Sequence, residues 1–403
     1  MTTVAPSRGP RIYLVAGEES GDRLGAALIR ALRRARPDIE FAGVGGSHMA
    51  GEGVPSLFPL GELAIIGFAA IAKSLPAILR RITQTADAVV AAKPDVLVII
   101  DSPEFTHRVA RRVRARAPQI PIVDYVCPSV WAWRPGRAKA MRTYVDRVLA
   151  LLPFEPEAMT RLGGPPTDFV GHPLGEQVGD LRPQGGPTSR LEGPPLVLAL
   201  PGSRSGEVRR LAAVFGAALG QAAQSGAFEV VVPTVPRLEA VVGKALANWP
   251  VPARIVTDPA EKDAAFRRAR AALTKSGTST LELALAGVPM VAGYKVSPLE
   301  ALVARALIKV PSVILANLVL GESVVPEFLQ DECTPERLAA ALRPLLGDTP
   351  ERRRQVEAFA RLDRIMGLGQ GAPSDRAAAI ILSKLPDFNL EAREKVASAP
   401  RTA

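Results

Sequence analysis

The strongest constraint on the fold is a regular alternation of short apolar runs with helical segments. In the first half of the chain the apolar runs are Ile12–Ala16, Phe41–Val44, Val96–Ile100, Ile120–Val126, Val148–Leu152 and Asp168–Val170. Segments of helical periodicity separate them, among them Leu24–Arg34, Ala70–Ala92 and Arg108–Ala117. Strands that are mostly apolar throughout are typical of parallel sheets covered by helices on both faces. The pattern therefore predicts an α/β fold.

A second series of the same kind follows a stretch rich in proline and glycine. Its apolar runs are Leu196–Leu200, Glu229–Val232, Arg254–Val256, Ala271–Thr274 and Val288–Ala292. We predict two Rossmann-like domains facing a cleft, at residues 8–175 and 196–349, joined by a linker at residues 176–195. Residues 335–385 read as helical and residues 386–403 as a flexible tail.

Composition narrows the class of partner. The 403 residues carry a formal net charge of +10, which favours an anionic partner such as nucleic acid, anionic lipid or a phosphorylated small molecule. The two cysteines, Cys127 and Cys333, are too few for a disulfide framework and favour a reducing compartment. We expect no signal peptide, because residues 1–10 are polar. No apolar run reaches the roughly 18 to 20 residues that a membrane span needs.

One segment, Leu63–Ile82, has two interpretations. Ile71, Leu75, Ile78 and Ile82 recur at helical spacing, with basic residues nearby. This is the pattern of an amphipathic helix at a membrane surface. It is also the pattern of a helix packed on a sheet, which periodicity alone favours.

Two loops of the first half follow predicted strands and carry polar side chains. Gly17–Asp22 allows a tight turn before a helix, but its spacing is not the dinucleotide fingerprint, and its acidic residues would repel a pyrophosphate. A hydroxyl-rich ligand such as a sugar suits it better, and an ordinary turn is an equal alternative. Asp101 follows Val96–Ile100 and is a candidate general base, or else a helix cap.

The segment after Ile120–Val126 holds two of the three tryptophans, Trp131 and Trp133, beside two prolines. Only 5% of the residues are aromatic, so two indoles in one short loop are unusual. If the apolar run is a parallel strand, this loop lies at its carboxyl end, where open α/β sheets bind ligands. The alternative is a packed loop in which the indoles cap a core.

In the second half, two strand-to-helix loops look suited to phosphate. Arg204 precedes one helix, and Lys275 precedes another together with Ser276, Gly277 and Thr278. Backbone amides and the helix dipole attract anions at such positions. Glu282, about one turn into the second helix, is placed to bind a ribose diol. Together these loops predict a nucleotide-diphosphate site, and the absence of an Asp-x-Asp motif and of clustered histidines argues against a metal site.

Several motifs occur in an order that resembles one known family. They are the segments 15–22, 41–46, 101–105, 128–134 (Pro-Ser-Val-Trp-Ala-Trp-Arg), 152–156, 169–174 (Phe-Val-Gly-His-Pro-Leu), 201–204 and 275–278. The chain resembles the lipid-A-disaccharide synthases, which are inverting glycosyltransferases of the two-Rossmann (GT-B) type. The resemblance runs from about Ile12 to Thr334, and the segment 316–330 also fits.

The resemblance implies a reaction between UDP-2,3-diacylglucosamine and 2,3-diacylglucosamine 1-phosphate (lipid X), with release of UDP. It implies no cofactor and no metal, and a peripheral position on the cytoplasmic face of the inner membrane. It favours a membrane or acyl-chain contact for Leu63–Ile82, and helices at residues 350–385 that pack back on the first domain. The oligomeric state stays open.

The resemblance also assigns site residues. Asp101 is the expected base, with Asp22, Glu18 and His172 as alternatives. The donor UDP is expected at Arg204, Glu207, Lys275, Ser276, Gly277, Thr278, Glu282, Asn317 and Gln330. The acceptor is expected near Gly17, Glu18, Ser20, Gly21, Asp22, Ser129, Trp131, Trp133, Arg134 and His172.

Two positions depart from the family pattern. Glu19 stands where the family usually has a small residue, and Ala69-Ala70 stands where an acidic residue is usual. The second departure weakens any transfer of polar acceptor contacts to that helix. The main alternative is a UDP-N-acetylglucosamine 2-epimerase-like enzyme of the same architecture. A nucleic-acid-binding role rests only on charge and on five arginines within Arg108–Arg116, where a solvated helix face is the simpler account.

Overall fold

The computed structural model describes residues 9–63, 68–297, 301 and 310–385, with only the backbone described for residues 68–74. The chain divides into two compact units. Unit 1 comprises Met1–Pro173 and the segment from Gly369 onward, and unit 2 comprises Leu174–Leu368.

Unit 1 is built on a six-stranded parallel sheet in the order β2-β1-β3-β4-β5-β6. The strands are β1 Arg11–Ala16, β2 Glu40–Val44, β3 Val96–Ile100, β4 Ile122–Tyr125, β5 Arg147–Ala150 and β6 Thr167–Phe169. The helices are α1 Glu19–Ala35, α2 Ser47–Gly51, α3 Phe68–Ala92, α4 Pro103–Arg116, α5 Gly136–Met141 and α6 Glu155–Arg161. Each strand overlaps one of the predicted apolar runs.

The core of unit 1 lies on both faces of this sheet. Alternate residues of β3 enter opposite clusters: Leu97 packs with α3 and α4, and Val98 packs with α1. All of β3 is buried, which explains why its sequence is apolar at every position.

Unit 2 repeats the design with strand order β12-β11-β10-β7-β8-β9, again all parallel. The strands are β7 Leu196–Leu200, β8 Glu229–Pro233, β9 Ala253–Val256, β10 Ala271–Lys275, β11 Met290–Tyr294 and β12 Glu327–Leu329. The helices are α7 Leu174–Leu181, α8 Ser205–Ala223, α9 Glu239–Leu246, α10 Pro259–Arg268, α11 Thr278–Leu285, α12 Leu315–Leu320, α13 Pro335–Leu342, α14 Pro350–Ala360 and α15 Leu362–Ile365.

Each sheet has one point where the chain reverses its direction across the sheet. In unit 1 it lies between β1 and β3, and in unit 2 between β7 and β10. The crevice outside the carboxyl ends of two such strands is where open α/β sheets bind ligands. The loops that leave these four strands are the ones that contain Gly17, Asp101, Arg204 and Ser276.

The linker predicted at residues 176–195 is wrong, because this segment is packed structure of unit 2. Most of its first part belongs to α7, whose Val178 and Leu181 are buried. Arg190, only 3% exposed, donates to the carbonyl oxygens of Leu181, Phe266 and Ala286. A guanidinium has enough donors to satisfy several helix-end carbonyls at once, which fixes this proline-rich segment in place.

The C-terminal helices divide differently from the prediction of a return beginning at residue 350. Residues 350–368, with α14 and α15, belong to unit 2. Among the described residues of unit 1 the last helix is α16, Pro373–Leu382, whose Ala377 and Ile381 join the same core cluster as α1. The tail predicted at residues 386–403 lies outside the described residues.

In the part of the chain that is described, no helix is long and apolar enough to cross a membrane. The segment Leu63–Ile82 is only partly described, since residues 64–67 and the side chains of residues 68–74 lie outside it. From residue 75 onward Leu75 and Leu79 are 43% and 38% exposed, while Ile82 is fully buried.

Candidate active site

A pocket of about 240 Å³ lies at the carboxyl ends of β3 and β4 in unit 1. We call it the Asp101 pocket. It brings together the residue predicted as the base and part of the tryptophan loop, which are far apart in sequence. Its wall includes Asp101, His107, Asp124, Cys127, Ser129, Trp133 and Arg137.

Two hydrogen bonds hold Asp101 at the carboxyl end of β3. The Ser20 hydroxyl donates to Oδ2 at 2.9 Å, and the Ser102 amide donates to Oδ1 at 2.7 Å. The first bond joins the first turn of α1 to the loop after β3 across the reversal point of the sheet. Asp101 is partly exposed and lines the pocket, so it is able to contact a ligand.

The backbone around this pocket adopts conformations that non-glycine residues rarely adopt. The φ angles are +53° at Asp101, +47° at Ser102, +97° at Val126 and +55° at Arg134. A β-branched residue such as Val126 at positive φ is a particular outlier. Such conformations cost about 1–3 kcal/mol each, persist only where the surroundings enforce them, and cluster at functional sites.

The loop after β1 approaches the loop after β3 so closely that only glycine fits at position 17. A Cβ on Gly17 would lie 2.5 Å from the Ser102 Cβ. A Cβ on Gly21 would lie 3.0 Å from the carbonyl oxygen of Ile100. The predicted acceptor-side glycines Gly17 and Gly21 thus allow the loop after β1 and the first turn of α1 to approach the end of β3 and the loop that follows it.

Asp22 does not fit its predicted role as a ligand contact or alternative base. It is 1% exposed, and its carboxylate accepts the amides of Gly46, His48 and Met49 at 2.7, 2.9 and 3.0 Å. These are the amides at the start of α2, which lack helical partners. Asp22 therefore anchors α2 to α1 and is too buried to contact a ligand.

The other two alternatives to Asp101 are also distinguished by the structure. Glu18 is the exposed N-cap residue of α1. His172 follows β6, and burial lowers the pKa of its imidazole to about 4. An imidazole with that pKa is neutral at physiological pH and a weak proton acceptor. Neither residue lines the Asp101 pocket.

The two indoles of the tryptophan loop have different roles. The Trp131 Nε1–H donates to Glu155 at 3.1 Å, and its ring packs edge-on against Phe154. Trp133 is 37% exposed, lines the Asp101 pocket, and has the Arg134 guanidinium 4.4 Å from its ring centroid. Trp131 therefore supports the loop, and Trp133 is the indole available to a ligand. Ser129, also on the pocket wall, accepts the amide of Trp133 with its carbonyl.

A buried polar pair on the wall of this pocket was not predicted from the sequence. Asp124 of β4 is 1% exposed, and its Oδ2 lies 3.0 Å from His107 Nε2 on α4. His107 Nδ1 lies 3.1 Å from the Tyr144 hydroxyl. Burial raises the pKa of Asp124, and the nearby Asp101 raises it further, while His107 lowers it. An acidic residue inside an otherwise apolar strand was the available signal.

In unit 2 an ion pair joins the first turn of α8 to the last residue of β10. Lys275 Nζ lies 3.1 Å from Glu207 Oε1, and both side chains are nearly buried. Glu207 Oε2 accepts the amides of Ser203 and Arg204. Burial acts to raise the pKa of Glu207, but Lys275 and the Ser203 amide hold it below its ordinary value. Glu207 therefore fixes the loop after β7 and positions Lys275.

The remaining predicted donor residues at this reversal point are available to a ligand to different degrees. The Arg204 side chain is 75% exposed. Thr278 begins α11 and is exposed, and Gly277 has φ +141°. Ser276 Oγ donates to the carbonyl of Val313 at 2.6 Å. Arg204, Lys275 and the start of α11 thus lie at the carboxyl ends of β7 and β10 or directly after them.

Three other predicted donor contacts are already engaged in structural bonds. Asn317, 2% exposed, accepts the amides of Val324 and Val325 and donates to the Val325 carbonyl. It is a loop clamp rather than a ligand contact. Gln330 Oε1 accepts the amide of Val296 at 3.1 Å, and Glu282 pairs with Lys262 at 2.6 Å.

Among the described residues, no group of three or more histidine, cysteine or acidic side chains is arranged to hold a metal ion. The two cysteines are buried free thiols. Burial raises the pKa of the Cys127 thiol far above its usual range. The thiol therefore stays protonated and unreactive, and it forms an apolar part of the pocket wall.

Comparison with known sequences gives a consistent result along the chain. The family model described as lipid-A-disaccharide synthetase matches residues 12–380. The lipid-A-disaccharide synthase of Nitrobacter hamburgensis is 61% identical over 384 residues, which cover 94% of this chain and 97% of that protein. The synthase of Bradyrhizobium diazoefficiens is 60% identical over 378 residues, covering 93% and 96%.

Solved structures of low sequence identity share the fold. The glycotransferase of kitacinnamycin has a TM-score of 0.60 at 18% identity and covers 94% of this chain and 100% of its own. The UDP-GlcNAc 2-epimerase of Neisseria meningitidis, bound to UDP-GlcNAc, has a TM-score of 0.59 at 13% identity and covers 93% and 100%. Two Rossmann-like units carry the fold, and the chain belongs to the lipid-A-disaccharide synthase family of glycosyltransferases.

Proposed function

We propose that the chain transfers 2,3-diacylglucosamine from its UDP derivative to 2,3-diacylglucosamine 1-phosphate, releasing UDP. The acceptor 6-hydroxyl oxygen attacks the anomeric carbon of the donor, and the bond from that carbon to the diphosphate breaks. Attack opposite to the leaving group inverts the anomeric configuration. The observation that carries this proposal is the position of Asp101, at the reversal point of the sheet of unit 1 and in a pocket walled by Trp133.

Asp101 serves as the general base in this proposal. A carboxylate within hydrogen-bond reach of the hydroxyl takes its proton as the new bond forms. The bonds from Ser20 and Ser102 fix the carboxylate and leave its remaining lone pairs for the acceptor. The strained backbone at Asp101 and Ser102 is the local cost of presenting the carboxylate in this orientation.

The donor UDP binds to unit 2 through Arg204, Lys275 and the start of α11. Two cationic side chains and helix amides can stabilise the negative charge that develops on the leaving diphosphate. Lys275 is held at the site by Glu207. In this proposal the charge stabilisation needs neither a divalent metal nor a cofactor.

Both proposed substrates carry acyl chains, which insert into a bilayer, so the enzyme has to reach them at a membrane surface. Leu75 and Leu79, one turn apart on α3, are both exposed, and Arg80 lies beside them. Apolar side chains next to a cationic one are the combination that binds anionic bilayers. We therefore propose peripheral binding to the cytoplasmic face of the inner membrane through this part of α3.

The test is UDP release by the purified protein with both acylated sugars and a chelator present. We expect UDP to form only when donor and acceptor are both supplied, together with an acylated disaccharide phosphate of inverted linkage. Unacylated UDP-N-acetylglucosamine is the comparison substrate, because an epimerase would convert it without an acceptor. Epimerisation of that substrate, or no UDP release with the acylated pair, would reject the proposal.

A further inference from the structure

A second pocket of about 160 Å³ adjoins the Asp101 pocket in unit 1. Three guanidinium groups line it: Arg108 and Arg111 from α4, and Arg137 from α5. We call it the arginine pocket. His107 and Arg137 belong to the walls of both pockets, so the two are neighbours on one surface.

Arg111 is oriented by a chain of buried polar groups. Its Nη2 donates to the Tyr144 hydroxyl at 3.2 Å, and its guanidinium lies 4.7 Å from the Tyr144 ring centroid. Tyr144 in turn contacts His107, which contacts Asp124. Among the described residues no carboxylate pairs with Arg111. This leaves an oriented cation at the pocket with its charge uncompensated.

The other two arginines share one exposed carboxylate. Glu104 lies 2.6 Å from Arg137 and 3.7 Å from Arg108. Burial acts to raise the pKa of Glu104, but the hydrogen bond and charge of Arg137, with the charges of Arg108 and Arg134, hold it below its ordinary value. The field at the pocket is therefore positive. Exposed ion pairs of this kind contribute little to stability, so a stronger anion can exchange for Glu104.

We propose that the arginine pocket binds the phosphate group of the acceptor sugar and so orients its hydroxyl toward Asp101. This inference rests on the proposed function. Three guanidiniums and one carboxylate leave two positive charges, which match a phosphomonoester dianion. Guanidinium forks bind phosphate oxygens in fixed geometry, unlike the freely rotating ammonium of lysine. The shared wall allows one sugar phosphate to occupy both pockets.

The test compares acceptors with and without the 1-phosphate in wild type and in Arg111→Gln. For wild type we expect removal of the phosphate to lower kcat/KM at least about tenfold, as for loss of one charged hydrogen bond. Arg111→Gln should show a similar loss with the phosphorylated acceptor and almost none with the dephosphorylated one. The affinity for UDP should not change.

The matched control is Arg112→Gln, which removes the same charge from α4 at a position outside the pocket. We expect it to behave as wild type with both acceptors. Arg108→Gln provides a second pocket variant, and thermal unfolding checks that each variant folds.

The outcomes separate this inference from the proposed function. If wild type uses both acceptors equally well, or if Arg111→Gln and Arg108→Gln lose the same factor with both acceptors, the arginine pocket does not bind the phosphate, although the transferase activity stands. If Arg112→Gln lost as much kcat/KM with the phosphorylated acceptor as the pocket variants, the effect would come from the general positive charge of α4. This result would also reject the inference. Absence of UDP release with either acceptor would instead reject the proposed function.

Discussion

At the scale of single residues, the tryptophan loop depends on one buried carboxylate. Glu155 is 3% exposed and accepts hydrogen bonds from the Trp131 indole and the Leu152 amide. Burial raises its pKa to about 7, against an ordinary value of 4.5, although both hydrogen bonds act to lower it. Trp131 in turn holds the loop that presents Trp133 to the Asp101 pocket. The charge state of Glu155 is therefore linked to the stability of unit 1.

This raised pKa predicts a pH dependence of stability. The unfolded state releases the proton near pH 4.5 and the folded state near 7, so the stabilisation is complete below 4.5 and is lost as pH rises to 7. The loss is about 3 kcal/mol, from the size of the shift. Urea unfolding of wild type and Glu155→Gln from pH 4.5 to 8 measures it. The free energy of unfolding of wild type should fall relative to the variant, and a constant difference would contradict the assignment.

Sequence could predict which residue types lie at the site, but not which partners they take. The position of Asp101 at a strand end was predictable, because the residue follows an apolar run. Asp22 and Asn317 have equally suitable side chains, but loop amides that only tertiary structure brings near them occupy both. The His107–Asp124 pair joins a helix to a strand, so neither residue alone indicated it.

At the scale of elements, the turn after β7 determines the conformation of the loop that carries Arg204. Gly202 has φ +144°, and a Cβ there would lie 2.5 Å from the Glu207 Cβ. Glu207 cannot retreat without losing its bonds to the Ser203 amide and to Lys275. The turn, the first turn of α8 and the end of β10 therefore form one connected unit.

We predict that Gly202→Ala lowers the free energy of unfolding by about 1–3 kcal/mol, through backbone strain and displacement of Glu207. The matched control is Gly206→Ala in α8, where a Cβ would contact nothing within 4 Å. The control should be unchanged or more stable by up to about 1 kcal/mol. Chemical denaturation of both variants checks this, and equal effects would contradict the steric account.

Element prediction succeeded where burial determines sequence. The fully buried β3 and the almost fully buried β7 begin and end where their apolar runs do. β12 was missed because it has only three residues, all half-buried, at the edge of its sheet. The proline-rich segment around Arg190 was mistaken for a linker, because composition does not reveal that a single guanidinium anchors it.

At the scale of the whole molecule, the residues proposed to contact the membrane are not those that line the Asp101 pocket. Replacing Leu75 and Leu79 by glutamine removes exposed apolar surface from α3 without touching the core residue Ile82. We expect the double variant to sediment with anionic vesicles at less than about half the wild-type level. Leu57→Gln, at another exposed leucine of unit 1, is the control. Vesicle binding equal to that of wild type would contradict the assignment of this surface.

The measurement that tests the central claim most directly is the turnover of Asp101→Asn with both acylated sugars at saturation. Asparagine keeps the size of the side chain and removes the proton acceptor. Loss of a general base lowers turnover by about 10²–10⁴-fold. We predict a fall in that range, with the affinity for UDP and the unfolding midpoint unchanged. A turnover within about threefold of wild type would contradict the account, because proton removal would then not depend on Asp101.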